Sequence, residues 1–346
     1  MSTLEIVAIG PASSVQDAGR FGAQRYGLTP SGAMDRLGLA SANALLGNTI
    51  FAPAIELGPF GATFVARGQV DLALAGAGRP ASIEGAALKP SQSFTLQEGE
   101  RLELGFARDG VFSYLAVCGG IQGDAAFGSL AVNARAGLGS PYPRPLQAGD
   151  QLQCRPGGTI VQRVIALPAV SHETIRVVLG PQDDEFSEEA KQMFLGSDWT
   201  VSVTSDRMGY RLEGPAIAHR HGHNIVSDAT VLGSIQVPGN GRPIVLMPDR
   251  GTSGGYPKIA TVISADIGRL AQTPAGKPFR FAAIAIDEAQ RQAGVFAALL
   301  KSLPDRVHDL RGVEPDLRAL YDVNIAGDAV SALDAHTWHI EQADAS

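Results

Sequence analysis

The sequence predicts a mainly β protein made of two similar β units followed by a helical tail. Short apolar runs, bounded by glycine or proline, recur along a chain of 346 residues that contains 41 Gly and 21 Pro. This spacing is typical of closed or sandwiched β domains rather than of alternating strands and helices. The two halves also echo each other, since IVAIGP at Ile6 resembles VVLGP at Val177.

The N-terminal unit is assigned to residues 1–170, and its first strand covers residues 4–9. Asp35 is placed as the N-cap of a helix that Gly47 ends, a role weighed equally against a functional one. A hairpin-type connection is expected at residues 97–100, which read QEGE. The remaining strands are predicted at residues 54–57, 62–66, 70–75, 93–96, 101–104, 112–117, 150–154 and 159–165.

The second β unit is assigned to residues 171–287. Ser187 is the predicted N-cap of a short helix. Residues 239–241, Gly-Asn-Gly, can supply the positive φ of a tight turn and so predict a hairpin. The tail, residues 288–346, is interpreted as a cover or a partner surface. Strands are predicted at residues 174–179, 199–204, 234–238, 243–247, 259–263 and 279–286, and helices at 187–194, 288–303 and 310–320.

Composition and charge narrow the classes of function. Apolar residues make up 45% of the chain and charged residues 18%, as in a globular protein with a substantial core. The net charge of −7 and the lack of a basic block argue against binding to nucleic acid or an anionic membrane. Cys118 and Cys154 lack metal-ligand spacing and are expected to be reduced. No signal-peptide pattern or bilayer-length apolar run is visible, so we expect a cytoplasmic protein.

The most informative stretch runs from Gly233 to Ile263, because the predicted hairpin leads directly into a dense polar loop. Loops that follow buried strands often carry binding residues, and a Gly pair allows close approach of the backbone to a ligand. A solvated turn without function is the alternative, and the density of functional groups favours a site. The candidate residues of this loop are Asp249, Arg250, Thr252, Gly254, Gly255, Tyr256 and Lys258.

Two further polar stretches contribute candidates. We expect the N-terminal stretch, residues 13–35, and the loop at residues 249–258 to line one cleft between the β units. A structural ion pair or a cap is the alternative for each residue. The N-terminal stretch contributes Gln16, Asp17, Arg20 and Ser31, the helix after it contributes Asn43, and the stretch after the strand at 199–204 contributes Asp206, Arg207, Tyr210 and Arg211.

Several motif matches are rejected. Residues 76–81, GAGRPA, follow a strand, but a proline and a strand-like run replace the helix that a dinucleotide site needs. The G-x-S-x-G match at residues 251–255 is followed by Tyr-Pro, which blocks a nucleophile elbow. The alternating His219, His221 and His223 lack a carboxylate or thiol at matching spacing, so an exposed turn is favoured over a metal site. The sequence contains no Walker A motif.

Four segments carry a family resemblance: SVQDAGRFG, GLTPSGAMD, SDRMGYRLEGP and the stretch from SDATVLGSIQV to GGYPKIATVI. They resemble the KipA-type proteins, also known as the C-type subunits of 5-oxoprolinase. That family includes allophanate hydrolase subunit 2 and half of the carboxyltransferase domain of urea carboxylase. The resemblance covers residues 5–287, with one departure at residues 251–253, where Gly-Thr-Ser stands in place of the more usual Gln-Thr-Thr.

The resemblance implies cyclophilin-like β-barrel units and assembly with a KipI-like partner subunit and a third subunit. It implies three alternative activities: ATP-dependent opening of 5-oxo-L-proline to L-glutamate, carboxyl transfer from carboxybiotin to urea, and non-catalytic binding of a KipI-like histidine-kinase inhibitor. We favour the 5-oxoprolinase, because the chain has no biotin-carrier or biotin-carboxylase portion. ATP is then expected, bound by this chain or by a partner, and biotin is expected only under the carboxylase alternative. No metal is expected.

Both catalytic activities act on a carbonyl flanked by nitrogen, whose oxygen gains charge in the transition state. Fixed cations and N–H donors stabilise such an oxygen, and carboxylates handle the proton. Lys258 and Arg250 are the proposed cations, and the backbone of Gly254 and Gly255 can donate as well. The candidate bases are Asp17, Asp206 and Asp249, and Gln16 and Tyr256 are expected to orient the substrate. The oxoproline carboxylate or an activating phosphate is expected to bind Arg20, Arg207 or Arg211.

Overall fold

The structure of the protein, a computed structural model, describes residues 2–157, 160–167 and 174–310. The predicted mainly β fold is confirmed, since the described residues form three large sheets and only four α-helices. The described chain up to Asp309 belongs to one compact unit. The helix predicted at residues 310–320 lies beyond the described residues, as does most of the predicted boundary at 167–171.

The strands of the described residues are short, and none exceeds eight residues. In chain order they are β1 (Ser2–Ile9), β2 (Ser14–Gln16), β3 (Ala54–Leu57), β4 (Ala62–Arg67), β5 (Val70–Gly76), β6 (Ala81–Ile83), β7 (Ala86–Ala87), β8 (Gln92–Leu96), β9 (Arg101–Leu104), β10 (Ser113–Val117), β11 (Gln151–Cys154), β12 (Arg163–Ile165), β13 (Thr174–Leu179), β14 (Thr200–Val201), β15 (Gly209–Glu213), β16 (Asp228–Ala229), β17 (Ser234–Gln236), β18 (Ile244–Leu246), β19 (Ser253–Gly254), β20 (Lys258–Val262), β21 (Arg280–Ala283) and β22 (Val307–Asp309).

Two of the four α-helices in the described chain, α1 and α2, begin at the caps that the sequence predicts. Asp35 accepts a hydrogen bond from the backbone N–H of Leu37 at 3.0 Å, and Ser187 accepts one from Ala190 at 3.3 Å. Both N-cap predictions are therefore confirmed. No helix in the described part of the chain combines the length and the apolar character that crossing a bilayer requires. The helices are α1 (Arg36–Leu45), α2 (Glu188–Gly196), α3 (Ile267–Ala271) and α4 (Ile286–Lys301).

Two sheets are built almost entirely from the N-terminal half. Their strand orders are β11-β1-β4-β9-β6-β7 and β2-β3-β10-β5-β8-β12-β22. Both sheets contribute to one hydrophobic core, which includes Leu4 and Phe64 from the first sheet and Leu72 and Phe94 from the second. In β4, β9 and β11, buried residues alternate with exposed or half-buried ones, as expected for strands that cover a core on one face only.

Strand β5 is buried on both faces. Its larger side chains, including Leu72 and Leu74, belong to the core between the two sheets. Its small residues Ala73 and Ala75 belong to a second cluster with Leu39 of α1. Alternating large and small residues thus let one strand pack against a sheet on one side and a helix on the other.

The third sheet contains only strands from residues 174–283, in the order β14-β15-β18-β17-β20-β13-β21. Its core includes Val177 and Ile235 from the sheet, Phe194 from α2 and Leu270 from α3. Strands β17 and β18 pair antiparallel, and Gly241 in the turn between them has φ of 71°. The hairpin predicted around residues 239–241 is therefore confirmed.

The hairpin-type connection predicted at residues 97–100 is wrong. A turn is present, with φ of 83° at Gly99, but β8 pairs with β5 and β12 whereas β9 pairs with β4 and β6. The segment therefore carries the chain from one sheet to the other. The strand predicted at residues 199–204 is also shorter, covering Thr200–Val201 only.

Candidate functional site

Arg207 connects the three polar stretches. Its Nε donates to Asp249 at 2.8 Å, its Nη2 donates to the carbonyl of Gly32 at 2.7 Å, and its Nη1 donates to the carboxylate of Glu56. Gly32 belongs to the N-terminal stretch and Asp249 to the polar loop. The two stretches that were expected to line a cleft are therefore neighbours.

Thr230 makes a second connection between the same regions. Its backbone N–H donates to the carbonyl of Thr252 at 3.1 Å, and its hydroxyl donates to the carbonyl of Gly251 at 2.5 Å. Its own carbonyl accepts a hydrogen bond from Nε2 of Gln24 at 3.1 Å. The N-terminal stretch is thus fixed to the polar loop at both Arg207 and Thr230.

Lys258 lies at the start of β20 with its side chain buried. Its Nζ donates to Oδ2 of Asp228 at 3.0 Å, and the carboxylate of Asp228 is half exposed. Gln182 holds this pair: its Oε1 accepts from the backbone N–H of Lys258 and its Nε2 donates to Asp228, both at 3.2 Å. The hydrogen bond from Lys258 holds the pKa of Asp228 below its ordinary value.

Gln236 is the cross-strand partner of Lys258 in the β17–β20 ladder. Its Nε2 is buried and has no hydrogen-bond partner among the described residues. The side chain lies against Gly254, where an added Cβ would stand 2.2 Å from that Nε2. Strands β16 and β19 form a two-stranded ribbon in which Gly254 faces Asp228. Gln236 and Lys258 therefore reach the same ribbon, one at Gly254 and the other at Asp228.

We call these two side chains the Lys258–Gln236 donor pair. An ammonium has three N–H groups, and Asp228 accepts one of them. The amide Nε2 of Gln236 supplies a further donor that lacks a protein acceptor in the described chain. Two fixed donors, one of them cationic and both buried, match the requirement for stabilising an oxygen that becomes negatively charged.

In the N-terminal stretch, the carboxylate of Asp17 has hydrogen-bond partners in the protein, whereas some buried nitrogens of Arg20 have none among the described residues. The carboxylate of Asp17 accepts from the N–H of Gly19 at 2.8 Å, from the hydroxyl of Ser129 at 2.6 Å and from the N–H of Leu130 at 2.7 Å. These three hydrogen bonds to Asp17 therefore hold the N-terminal stretch against residues 129–130. Arg20 is fully buried, and burial lowers its pKa although the charges of Asp17 and Asp249 oppose that shift.

Several other predicted residues already have structural partners. The hydroxyl of Tyr210 donates to the carbonyl of Ala271 at 2.9 Å within the core, and Asp206 accepts from two backbone N–H groups of its own turn. Asn43 spans Leu39 and Ala52, and Ser31 accepts from Asn133 at 3.0 Å. The remaining predicted residues are Arg211 and Tyr256, which are exposed, Thr252 and Gly255, which are half-buried, and Arg250, whose pKa burial lowers.

Glu56 is a buried acid that the sequence analysis missed. Its carboxylate accepts from Arg207, from the hydroxyl of Tyr114 at 2.7 Å and from the N–H of Met34 at 2.8 Å. Burial raises the pKa of Glu56, and the charge of Arg207 and the hydrogen bonds from Met34 and Tyr114 offset that effect only in part. Burial also lowers the pKa of Arg207, but its two carboxylates outweigh that effect and raise it overall. This network joins β3 to the segments that carry Arg207 and Asp249.

Glu56 and Gln236 give the same signal in the sequence. Each is a polar residue inside an otherwise apolar strand, AIEL for Glu56 and SIQV for Gln236. A polar side chain in a buried strand requires a partner, which marks it as part of a network or a site. Asp228 lies in the two-residue strand β16 and Gln182 lies in the turn after β13, so neither stands inside an apolar run that would mark it.

The three histidines line a surface cavity of about 420 Å³ with residues of the 239–241 turn. His219 contacts the carbonyl of Val237 through Nε2 at 2.8 Å and packs against Phe186. Among the described residues, no group of three or more His, Cys, Asp or Glu side chains is arranged to hold a metal ion. A larger cavity, about 560 Å³, lies between α1, α3 and α4 and does not include Lys258 or Gln236.

The chain contains a carboxyltransferase-type domain. The family described as "Carboxyltransferase domain, subdomain A and B" matches residues 26–283. The chain belongs to this family, as the resemblance predicted.

Two named relatives and a solved structure are similar to most of the chain. The chain is 34% identical to the C-type subunit of 5-oxoprolinase from Haemophilus influenzae, covering 83% of this chain and 93% of that protein. It is 36% identical to the C-type subunit of 5-oxoprolinase from Escherichia coli, covering 88% and 99%. The solved structure of the Kluyveromyces lactis urea amidolyase superposes with a TM-score of 0.80 at 25% identity, covering 88% of this chain and 21% of that one.

Proposed function

We propose that this chain is the C-type subunit of a 5-oxoprolinase, which opens 5-oxo-L-proline to L-glutamate in an ATP-dependent reaction. The two relatives that carry this name align with the chain over nearly their whole length, which supports the assignment. The Lys258–Gln236 donor pair is the observation that carries the chemistry, because a lactam carbonyl needs donors aimed at its oxygen.

In this proposal the lactam oxygen binds between Lys258 and Gln236. As the carbonyl carbon is attacked, negative charge develops on that oxygen and the two buried donors stabilise it. Water supplies the hydroxyl of the new carboxyl group, the C–N bond breaks, and the released nitrogen takes up a proton. Hydrolysis of ATP to ADP and phosphate supplies the free energy of the reaction. Asp228 fixes the ammonium of Lys258, and in this proposal its half-exposed carboxylate handles the proton.

The proposed complex contains a KipI-like subunit and a third subunit. Relatives named as a subunit support an assembly of more than one chain. The sequence has no Walker A motif, so we place the ATP site on a partner or at a shared surface. The chain alone is then inactive, and the dependence on ATP places the complex in the cytoplasm.

The test is release of glutamate from 5-oxo-L-proline with ATP, using the chain alone and then with its partner subunits. We expect release only in the mixture and only with ATP. A mixture that forms the complex but releases no glutamate contradicts the proposal. Transfer of the carboxyl group from carboxybiotin to urea without ATP supports the second candidate, a biotin-dependent carboxyltransferase, which the similarity to the urea amidolyase structure favours.

A further inference from the structure

Four buried polar atoms outside the donor pair have no hydrogen-bond partner among the described residues. They are Oε1 of Gln16, Nε and Nη1 of Arg20, and Nε of Arg250. Proteins satisfy nearly all buried polar groups, and charged groups most of all. Unsatisfied atoms concentrated on three residues of the two polar stretches therefore indicate a place where a ligand supplies the missing partners.

Gln16 and Arg20 are held along one segment of the chain. Nε2 of Gln16 donates to the carbonyl of Val132 at 3.1 Å and to the hydroxyl of Ser14 at 2.9 Å. Nη2 of Arg20 donates to the adjacent carbonyl of Ala131. These bonds fix both side chains, and they fix the orientation of the Gln16 amide so that its oxygen is the free atom.

Arg250 joins this group through its neighbour in the sequence. Arg207 donates to both Asp249 and the carbonyl of Gly32, and Gly32 packs against the backbone of Gly19, the neighbour of Arg20. The charge of Asp249 accordingly opposes the lowering of the Arg20 pKa by burial. The side chain of Arg250 is buried, like that of Arg20. The free atoms of the three residues are thus three N–H donors on two cations and one carbonyl acceptor.

We infer that Arg20, Arg250 and Gln16 form a buried subsite for a carboxylate that lies next to an N–H group. The guanidinium donors bind the carboxylate, and Oε1 of Gln16 accepts from the N–H. In 5-oxo-L-proline the carboxylate is attached to the carbon beside the lactam nitrogen, so the substrate named in the proposed function, on which this inference rests, presents both groups. A fully ionised oxyanion such as sulfate presents only acceptors and leaves Gln16 unsatisfied.

The other two candidate arginines are less suitable. All three nitrogens of the Arg207 guanidinium donate to protein oxygens, on Asp249, Glu56 and Gly32. Arg211 is exposed to solvent. Of the three arginines that the sequence suggested for anion binding, Arg20 is the one with buried N–H groups left for a ligand.

The first experiment measures ligand binding to the unaltered full chain, assembled with its partner subunits, by equilibrium dialysis. The probes are 5-oxo-L-proline, 2-pyrrolidinone, which lacks the carboxylate, and inorganic sulfate, which has no O–H donor, as a competitor. We expect 2-pyrrolidinone to bind at least about 100-fold more weakly than 5-oxo-L-proline, because it leaves both guanidinium groups unsatisfied. Equal binding of the two, or displacement of 5-oxo-L-proline by sulfate at comparable concentration, overturns the inference.

The second experiment compares Arg20→Gln and Arg250→Gln with Arg67→Gln, which alters an exposed arginine on β4 paired with Glu5. We expect each of the first two variants to raise the Kd for 5-oxo-L-proline about 10- to 100-fold, and Arg67→Gln to leave it unchanged. Unchanged binding in Arg20→Gln overturns the inference. If that variant does not fold, the ligand series on the unaltered chain decides.

A stability comparison separates a binding role from a structural one. Arg79 is also buried, but its nitrogens donate to Ser113 and to the carbonyls of Gly58 and Phe60. Removing satisfied bonds destabilises more than removing unsatisfied ones. We therefore expect Arg79→Gln to lower Tm more than Arg20→Gln does, and 5-oxo-L-proline to raise the Tm of Arg79→Gln but not of Arg20→Gln. The reverse pattern assigns Arg20 to the fold.

The inference and the proposed function fail in different ways. Lys258→Ala removes a donor of the reacting oxygen but leaves the carboxylate subsite intact. If the complex binds 5-oxo-L-proline through Arg20 and releases no glutamate, the proposed reaction is wrong and the subsite stands. If glutamate is released and Arg20→Gln changes neither KM nor Kd, the subsite is wrong and the reaction stands.

Discussion

Replacing Arg207 by methionine tests how the polar stretches are held together. The substitution leaves Glu56, whose side chain is 1% exposed, without its cationic partner, and it also removes the partner of Asp249. Breaking a buried ion pair by removing one partner costs about 3–5 kcal/mol. For a compact unit of this size, where 1 kcal/mol shifts Tm by about 2 °C, the expected decrease is roughly 6–10 °C.

The assay is thermal unfolding followed by calorimetry or circular dichroism, with two matched variants. Arg280→Met removes an arginine paired with Asp198 at the surface, where both side chains are more than half exposed, and is expected to lower Tm much less than Arg207→Met does. Adding Glu56→Gln to Arg207→Met restores part of the stability, because the amide oxygen still accepts from Tyr114 and Met34 while the buried charge is removed.

Two results refute this reasoning. If Arg207→Met unfolds within about 2 °C of the unaltered chain, the network does not hold the polar stretches together. If Glu56→Gln lowers the Tm of Arg207→Met further, the buried charge on Glu56 is not the source of the cost.

Three further predictions concern the donor pair. Gln236→Leu is expected to lower kcat for glutamate release about 100-fold with little loss of Tm, because the Nε2 of Gln236 has no protein acceptor in the described chain. A drop in Tm with unchanged kcat would instead assign Gln236 a structural role. Gly254→Ala is expected to displace the side chain of Gln236, since a Cβ at position 254 would stand 2.2 Å from Nε2 of Gln236. We expect kcat to fall at least about tenfold while KM stays within a factor of about three. A kcat equal to that of the unaltered complex contradicts the contact between Gly254 and Gln236. The Asp228 carboxyl is expected to titrate below its ordinary pKa by NMR and to return toward that value in Lys258→Ala, and an unchanged titration contradicts the ion pair. The contribution of this ion pair to stability is present above the ordinary pKa of the carboxyl and is lost as pH falls through the lowered pKa.

Much of the fold was predictable because local patterns dictate it. The capping residues Asp35 and Ser187 and the Gly-Asn-Gly turn each specify their structure within a few residues. The connection at residues 97–100 shows where local patterns fail. A turn between two strands carries no information about which sheet each strand joins, since that choice depends on packing between distant residues.

The candidate site was predictable as a region but not as a set of roles. The density of polar residues located the loop at 249–258 and the N-terminal stretch, and Arg207 shows that they are neighbours. The roles depend on which hydrogen bonds the protein already satisfies. In the sequence, Asp17, Tyr210 and Arg20 are all polar site candidates of the same standing. In the structure, the polar groups of Asp17 and Tyr210 have protein partners, whereas two nitrogens of Arg20 have none among the described residues.

The most direct test of the account is glutamate release by the assembled complex that carries Lys258→Ala. We expect the complex to form and to bind 5-oxo-L-proline, with turnover about 100- to 1,000-fold lower, because the cationic donor to the reacting oxygen is lost. Turnover equal to that of the unaltered complex, with the variant chain shown to be incorporated, contradicts the central claim that Lys258 stabilises the reacting oxygen.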